Sequence, residues 1–305
     1  MQQTRPTGPD AGSVFLLVVG IVGVSMSGPL MAAATAVPAL AMSLWRTGLG
    51  AGAMSVLGAR TARAGMLALS RRDLVRCCLS GLMLALHFAA WTTSLKYTSV
   101  ASATALVCLQ VAWVVLLARM SGTTIVSRVW LGLLVAFVGV LVVSGVDLSV
   151  SQRALTGDVL ALLGGLFAAV YTVIGSRVRE NVPTTTYTMV CYGTSAIALL
   201  IACAVGRVQV WGFDTRSWVL IVAVTLVAQI LGHSIFNHLL ATLSPTLVSM
   251  ALLLEVPGAA LLAAVFLGQA PPLAVYAGLL LICAGLAIVV GGRSRAAAPV
   301  EAPVD

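Results

Sequence analysis

The stretch GTTIVSRVWLGLLVAFVGVLVVSG, residues 122–145, returns as GQAPPLAVYAGLLLICAGLAIVVG, residues 268–291. Gly122, Gly132, Gly139 and Gly145 stand in register with Gly268, Gly278, Gly285 and Gly291, each pair 146 residues apart. A hydrophobic unit from the middle of the chain thus recurs at its end. Such spacing points to a chain made of two structural repeats. Small residues also let helices in lipid approach closely. Packing alone would not require the same spacing twice.

Working outward, the whole chain is apolar. Of 305 residues, 60% are hydrophobic and 9% charged, and the mean hydropathy is +1.07. A water-soluble domain needs far more surface charge. A helix crossing the hydrocarbon core needs roughly 20 mostly apolar residues. Ten spans are expected, near 14–34, 38–58, 76–95, 100–118, 129–146, 157–176, 186–206, 217–240, 246–267 and 273–291. Breaks are placed at Pro38 and at Ser244–Pro245, because proline suits a helix's first turn and not its interior. Residues 14–34 read as a retained first span, since further apolar segments follow. No stretch is left for a soluble domain.

Basic residues set the orientation. With a cytoplasmic N-terminus, Arg5, Arg60, Arg63, Arg71, Arg72, Arg76, Arg119, Arg128, Arg177, Arg179, Arg293 and Arg295 all face inward. Lys96, Arg153, Arg207 and Arg216 face outward, and Arg46 lies within a span. The excess predicts both termini in the cytoplasm, with short tails at 1–13 and 292–305. The net charge of +8 is therefore a matter of topology, and nucleic acid is not expected as a partner. The arginine, alanine and glycine bias suggests a GC-rich bacterial genome, hence the bacterial cytoplasmic (inner) membrane. Five spans per repeat, 14–146 and 157–291, would insert the second repeat upside down. The expected fold is an all-α membrane protein of ten helices in two inverted five-helix repeats.

The segment SPTLVSMALLLEVPGAALLAAVFLGQAPPLAVYAGLLLICAGLAIVV, residues 244–290, resembles the end of an EamA domain of the drug/metabolite transporter superfamily. The similar features are Ser244–Pro245, Glu255 followed by Pro257, Leu267–Gly268, Gly278 and Gly285. Gly122, Gly132 and Gly139 give a weaker copy in the first half, and Trp45–Arg46 is another family-like feature. Departures are Val256 between Glu255 and Pro257, Gln269 after Gly268, and Gln110 and Ala112 near the first-repeat counterparts of Glu255 and Pro257. The resemblance implies a ten-helix secondary transporter, commonly an exporter of amino acids, other metabolites or drugs.

Ionisable groups in hydrocarbon are expensive, at least ~2.5–3.5 kcal/mol at mid-depth on insertion scales. They persist when paired, solvated in a cavity, or used. Glu255, near the middle of span nine, could bind an amine or carry a coupling proton, since burial disfavours the charged form. Arg46 could clamp a substrate carboxylate through its fork of donors, or pair with Glu255. His87 and Trp91 lie four residues apart on one helix face, as do His233 and Asn237. Either pair could line a substrate site or simply bond neighbouring helices. Gln110 could replace a symmetry-related acid with a neutral donor and acceptor. Tyr171 and Tyr192 complete the candidate lining. Trp113, Trp130, Trp211 and Trp218 read as interface anchors.

The six cysteines read as small buried thiols without metal-ligand spacing. No phosphate loop with lysine, His-Glu-x-x-His or Gly-x-Ser-x-Gly element is present, so no enzyme, cofactor or metal is expected. The expected activity is alternating-access export of small polar metabolites such as amino acids, around a cavity between the repeats. Export of amphipathic cations or drugs is the alternative, and a non-transporting membrane scaffold or sensor is the competitor of another class. The partners are a small-molecule substrate, a possible coupling proton and the lipid bilayer.

Overall fold

A computed structural model describes residues 10–122, 124–148, 152–268 and 273–296. The expected tails lie partly, and Gln269 wholly, outside the described residues. In chain order the helices are α1 (Ala11–Ala33), α2 (Ala39–Leu57), α3 (Ala59–Ala68), α4 (Arg71–Ser94), α5 (Val100–Met120) and α6 (Ser127–Leu148). Then follow α7 (Gln152–Arg179), α8 (Thr184–Val205), α9 (Thr215–Leu239), α10 (Pro245–Leu267) and α11 (Leu273–Ala296). No strand occurs among the described residues.

Local chemistry fixes several starts. The side chains of Asp10, Ser70, Ser99, Asp214 and Ser244 each accept a backbone N–H from the first turn that follows. Such caps satisfy donors that have no partner inside the helix. Pro38 stands at the N-cap of α2, and Pro245 occupies the first turn of α10. Both expected breaks therefore fall at helix starts.

Seven helices, α1, α4, α5 and α7–α10, are long and apolar enough to cross a membrane. The other expected spans coincide with α2, α6 and α11. Polar Ser43, Arg46 and Thr47 lower the apolar character of α2, and all three are fully buried. α6 and α11 contain shorter apolar cores, Ser127–Val142 and Tyr276–Gly285. The exterior is equally telling. Phe15, Val205, Leu261, Phe266 and Leu280 are exposed, a surface suited to acyl chains and not to water.

α3 is a departure from expectation, because residues 59–75 read as a loop. Its sequence ARTARAGMLA is too short and too basic to span. It carries Met66 and Leu67 exposed, next to Arg71 and Arg72, and packs beside α8. Arginines with apolar neighbours suit a short helix lying at a membrane surface.

Four of the long helices are interrupted. α1 turns at Met26, and α5 turns at Leu109, so that Gln110 opens its second segment. α9 runs as π-helix over Val224–Ser234. In α10 a 3₁₀ turn, Leu252–Leu254, places Glu255 at the start of the segment that follows. The breaks in α5 and α10 occupy matching places in the two halves.

α6 packs along α11, and the repeated glycines form the contact. A β-carbon on Gly139 would strike the Gly278 carbonyl, and one on Gly285 would strike the Gly132 carbonyl. As numbering rises along α6 from 132 to 139, the facing position on α11 falls from 285 to 278. The two helices are antiparallel and the contact is reciprocal, the pattern a two-fold axis produces.

Connections gather at two ends. At one, Lys96 Nζ donates to the Ala34 carbonyl (3.3 Å), Arg153 donates to the Lys96 carbonyl (3.4 Å), and Trp45 Nε1 donates to the Val210 carbonyl (2.8 Å). At the other, Arg179 donates to the Val182 carbonyl, to Thr184 Oγ1 and to the Asn237 carbonyl. Thr184 Oγ1 also meets His238 Nδ1 at 3.2 Å. This second end holds Arg119, Arg128, Arg177 and Arg179.

Candidate functional site

About halfway along the helices lies a cavity of about 40 Å³, lined by His87, Trp91, Gln110, Tyr171, Phe236 and Glu255 among others. His233, Asn237, Ser27 and Thr172 also reach it. At ~10–15 Å³ per water centre, it has room for about three waters.

Each lining group is positioned by a specific contact. His87 Nδ1 meets the Gly164 carbonyl at 3.0 Å, so its other ring nitrogen is the one free for the cavity. The close approach of α7 at Gly164 to the Trp91 backbone allows this contact. His87 and Trp91 lie parallel, 6.0 Å between centroids, as their spacing on α4 requires. His233 leans edge-on to Phe88 (5.1 Å) and stands 6.2 Å from the His87 ring. Tyr171 O–H donates to Asn237 Oδ1 (2.5 Å), and Asn237 Nδ2 donates to Tyr192 Oη (3.1 Å). Tyr192 Oη meets Ser234 Oγ at 3.1 Å, and Ser234 Oγ donates to the Gln229 carbonyl, five residues back. The π-helix brings that carbonyl within reach; π segments often mark functional regions.

Glu255 begins a helical segment and faces the cavity at 8% exposure. No hydrogen bond or ion pair reaches its carboxyl group among the described residues. The pairing with Arg46 considered above is not formed. Arg46 is fully buried behind the cavity lining, as is Tyr192. Its Nε donates to Gln229 Oε1 (2.9 Å), its Nη1 to Ser27 Oγ (3.1 Å), and its guanidinium sits 4.0 Å above the Phe88 ring. Arg46 Nη2 and Gln229 Nε2 have no hydrogen-bond partner among the described residues. Ser27 links the two layers, because it both lines the cavity and holds Arg46.

Seven candidate residues thus converge on one cavity: His87, Trp91, Gln110, Tyr171, His233, Asn237 and Glu255. Sequence reasoning missed Ser27, Phe88, Gln229 and Phe236. Gln229 lies four residues before His233, which lies four before Asn237, so the polar stripe of α9 was extendable by one step. Ser27 and Phe88 gave no signal, being ordinary residues until Arg46 is placed beside them. Trp211 is 63% exposed and meets Trp45 edge-on at 4.5 Å, at a loop end as expected.

An all-helical bundle with an acyl-compatible exterior and a polar interior cavity is the architecture of a multi-pass membrane protein. Residues 155–291 match the EamA-like transporter family. The chain is 26% identical over 227 residues to the uncharacterized transporter YxxF of Bacillus subtilis (strain 168), an alignment covering 73% of this chain and 72% of that one. A solved crystal structure, 19% identical, superposes with a TM-score of 0.69 over 95% of this chain and 100% of that one, which establishes the shared fold.

Proposed function

We propose that the protein is a secondary active transporter of small amine-bearing metabolites, amino acids first among them, in a bacterial cytoplasmic membrane. It works by alternating access between two inverted repeats, 14–146 and 157–291, with ten crossings and both termini inside. Two features support the inversion: the reciprocal antiparallel glycine contact of α6 with α11, and connections that alternate between two ends. The arginine-rich end is then the cytoplasmic one. Export follows the habit of the family and is an inference by analogy.

The observation that carries the reading is Glu255. An unpaired carboxyl group in a buried cavity, at a break between helical segments, is a costly arrangement that use explains. It can take an amine, or hold a proton exchanged for one. Gln110, at the matching break of the first repeat, supplies a neutral donor and acceptor. Arg46, one layer back through Ser27, is available to a carboxylate once the cavity widens. The second reading, amphipathic cations, draws on a different fact: the basic group is withdrawn, and the lining shows an acid among aromatic rings.

The test is flux in proteoliposomes under an imposed pH gradient, with amino acids and lipophilic cations competing. Gradient-driven amino-acid movement is expected, abolished in Glu255→Gln while the variant keeps its thermal unfolding midpoint. Gradient dependence that survives in Glu255→Gln ends the proton assignment. Competition by lipophilic cations alone selects the second reading.

A further inference from the structure

A second cavity, about 610 Å³, opens at the arginine-rich end. Its walls include Val114 and Leu117 of α5, Val129 of α6, Val173 of α7 and Thr246 of α10. Three of these helices, α5, α7 and α10, also line the central cavity, one helical turn away. Along α5 the step is from Gln110 to Val114, along α7 from Thr172 to Ser176, and at the start of α10 from Val248 to the N-cap Ser244. Between the two spaces stands a partition of Val114, Val248 and Thr172, all buried.

The other end of the bundle gives the contrast. Exchanging the repeats turns the seam α5–α7–α10 into α10–α1–α5. That outer seam is shut. Val100, Ala259 and Ala263 form one buried cluster there. Gly28 lies so close to Val100, and Gly258 to Ser25, that a β-carbon on either would overlap its neighbour. One seam is open by some hundreds of cubic ångströms and its counterpart is closed by small residues.

The rim of the open cavity bears Arg177, in the last turn of α7, and Glu180, just past its end, both exposed. Neither forms an ion pair among the described residues. A cation and an anion on one rim complement a solute that carries both charges.

We propose that this cavity is the cytoplasmic vestibule of the transport path, a first binding site for dipolar solutes, with Arg177 and Glu180 as its charge pair. The proposal rests on the transporter reading above. A solute enters here and gives up part of its water against apolar walls. It passes to Glu255 when the turn bearing Val114, Thr172 and Val248 moves apart. The outer seam at Gly28, Val100 and Gly258 is the matching gate, closed in this conformation.

Ser176→Cys tests it, in proteoliposomes of known orientation, with membrane-impermeant cationic and anionic methanethiosulfonates. Modification is expected from the arginine-rich face alone, and it should stop solute flux, while treated wild-type protein is unaffected. Failure to label from that face, with the protein folded, overturns the vestibule and marks a lipid-filled groove. Labelling that leaves flux intact overturns it too, yet leaves the transporter reading standing. Absence of flux in unlabelled wild type, by contrast, defeats the transporter reading. As a second measurement, Arg177→Gln and Glu180→Gln should each raise the half-saturating leucine concentration on that face about 2–5-fold, the effect of one exposed charge contact, with maximal rate unchanged. Unchanged half-saturation in both variants removes the charge-pair assignment.

Discussion

Arg46 is the residue at which the balance of charge is least settled. Burying a guanidinium without a counter-ion is unfavourable unless its donors are met. Here Ser27, Gln229 and the face of Phe88 meet it in part, while the amino groups Arg46 Nη2 and Gln229 Nε2 stay unmet among the described residues. Gln229→Glu would replace an unmet donor with an acceptor and set a carboxylate against Arg46. A higher unfolding midpoint in detergent is expected. Arg46→Leu should lower it, since Gln229 Oε1 and Ser27 Oγ lose their donor, a change worth about 1–3 kcal/mol per stranded buried group. Opposite signs in the two variants are the check, and a lower midpoint in Gln229→Glu would contradict the account. Outside the spans, bonds from Ser217 hold the Asp214 carboxyl below the usual carboxylate range. Its folded value lies under its unfolded one, so its stabilising effect is present at neutral pH and is lost as pH falls through the folded value. Amide protection in the first turn of α9, corrected for the intrinsic exchange rate, should fall in acid, and Asp214→Asn should show much less of that dependence.

Among elements, the pair α6 and α11 bears the symmetry. Gly139→Ala and Gly285→Ala each force a β-carbon against backbone of the facing helix, which cannot yield as a side chain can. Each should destabilise by about 1–3 kcal/mol, the usual range for overpacking, and the two values should be similar because the contacts are reciprocal. Gly52→Ala meets nothing within 4 Å. Its helix should be unchanged or stabilised by up to ~1 kcal/mol. Thermal unfolding of the three variants in one detergent decides the matter. The register of these glycines was legible in sequence because close helix contact admits no other residue. The helix starts at Pro38 and Ser244–Pro245 were legible for a similar reason: proline has few places to go. The interruptions at Leu109 and in α9 were not, since Leu, Val and Ala accommodate α, 3₁₀ and π turns alike. α3 escaped because its ten residues of mixed character form a helix only when a surface supports it.

For the whole molecule, alternation of ends is the claim most open to direct attack. Cysteines at Tyr97 and Gln209 should react with impermeant reagents from one face, and those at Ser121 and Glu180 from the other. Reaction of Ser121→Cys and Tyr97→Cys from the same face would remove the alternating topology and the inverted repeats with it. The size contrast between the cavities also belongs to this scale. With about 40 Å³ at the centre and about 610 Å³ at the arginine-rich end, a molecule larger than a few waters fits the centre only if the bundle changes shape. A ligand that prefers the widened form should raise the unfolding midpoint as its concentration rises.

Composition and periodicity alone pointed to a chain that lives in a bilayer, to helix starts at Pro38 and Pro245, and to two segments whose glycines stand in register. These are properties of local transfer free energy and of backbone sterics, which each stretch carries with it. The candidate lining was also within reach, because polar groups inside apolar spans are few. Only the tertiary structure decided which of them meet. It put Arg46 behind the wall and Glu255 at it, since an arginine's reach depends on which neighbours fill the space around it. It also opened one seam and closed its counterpart, a difference between packed arrangements that no single segment encodes.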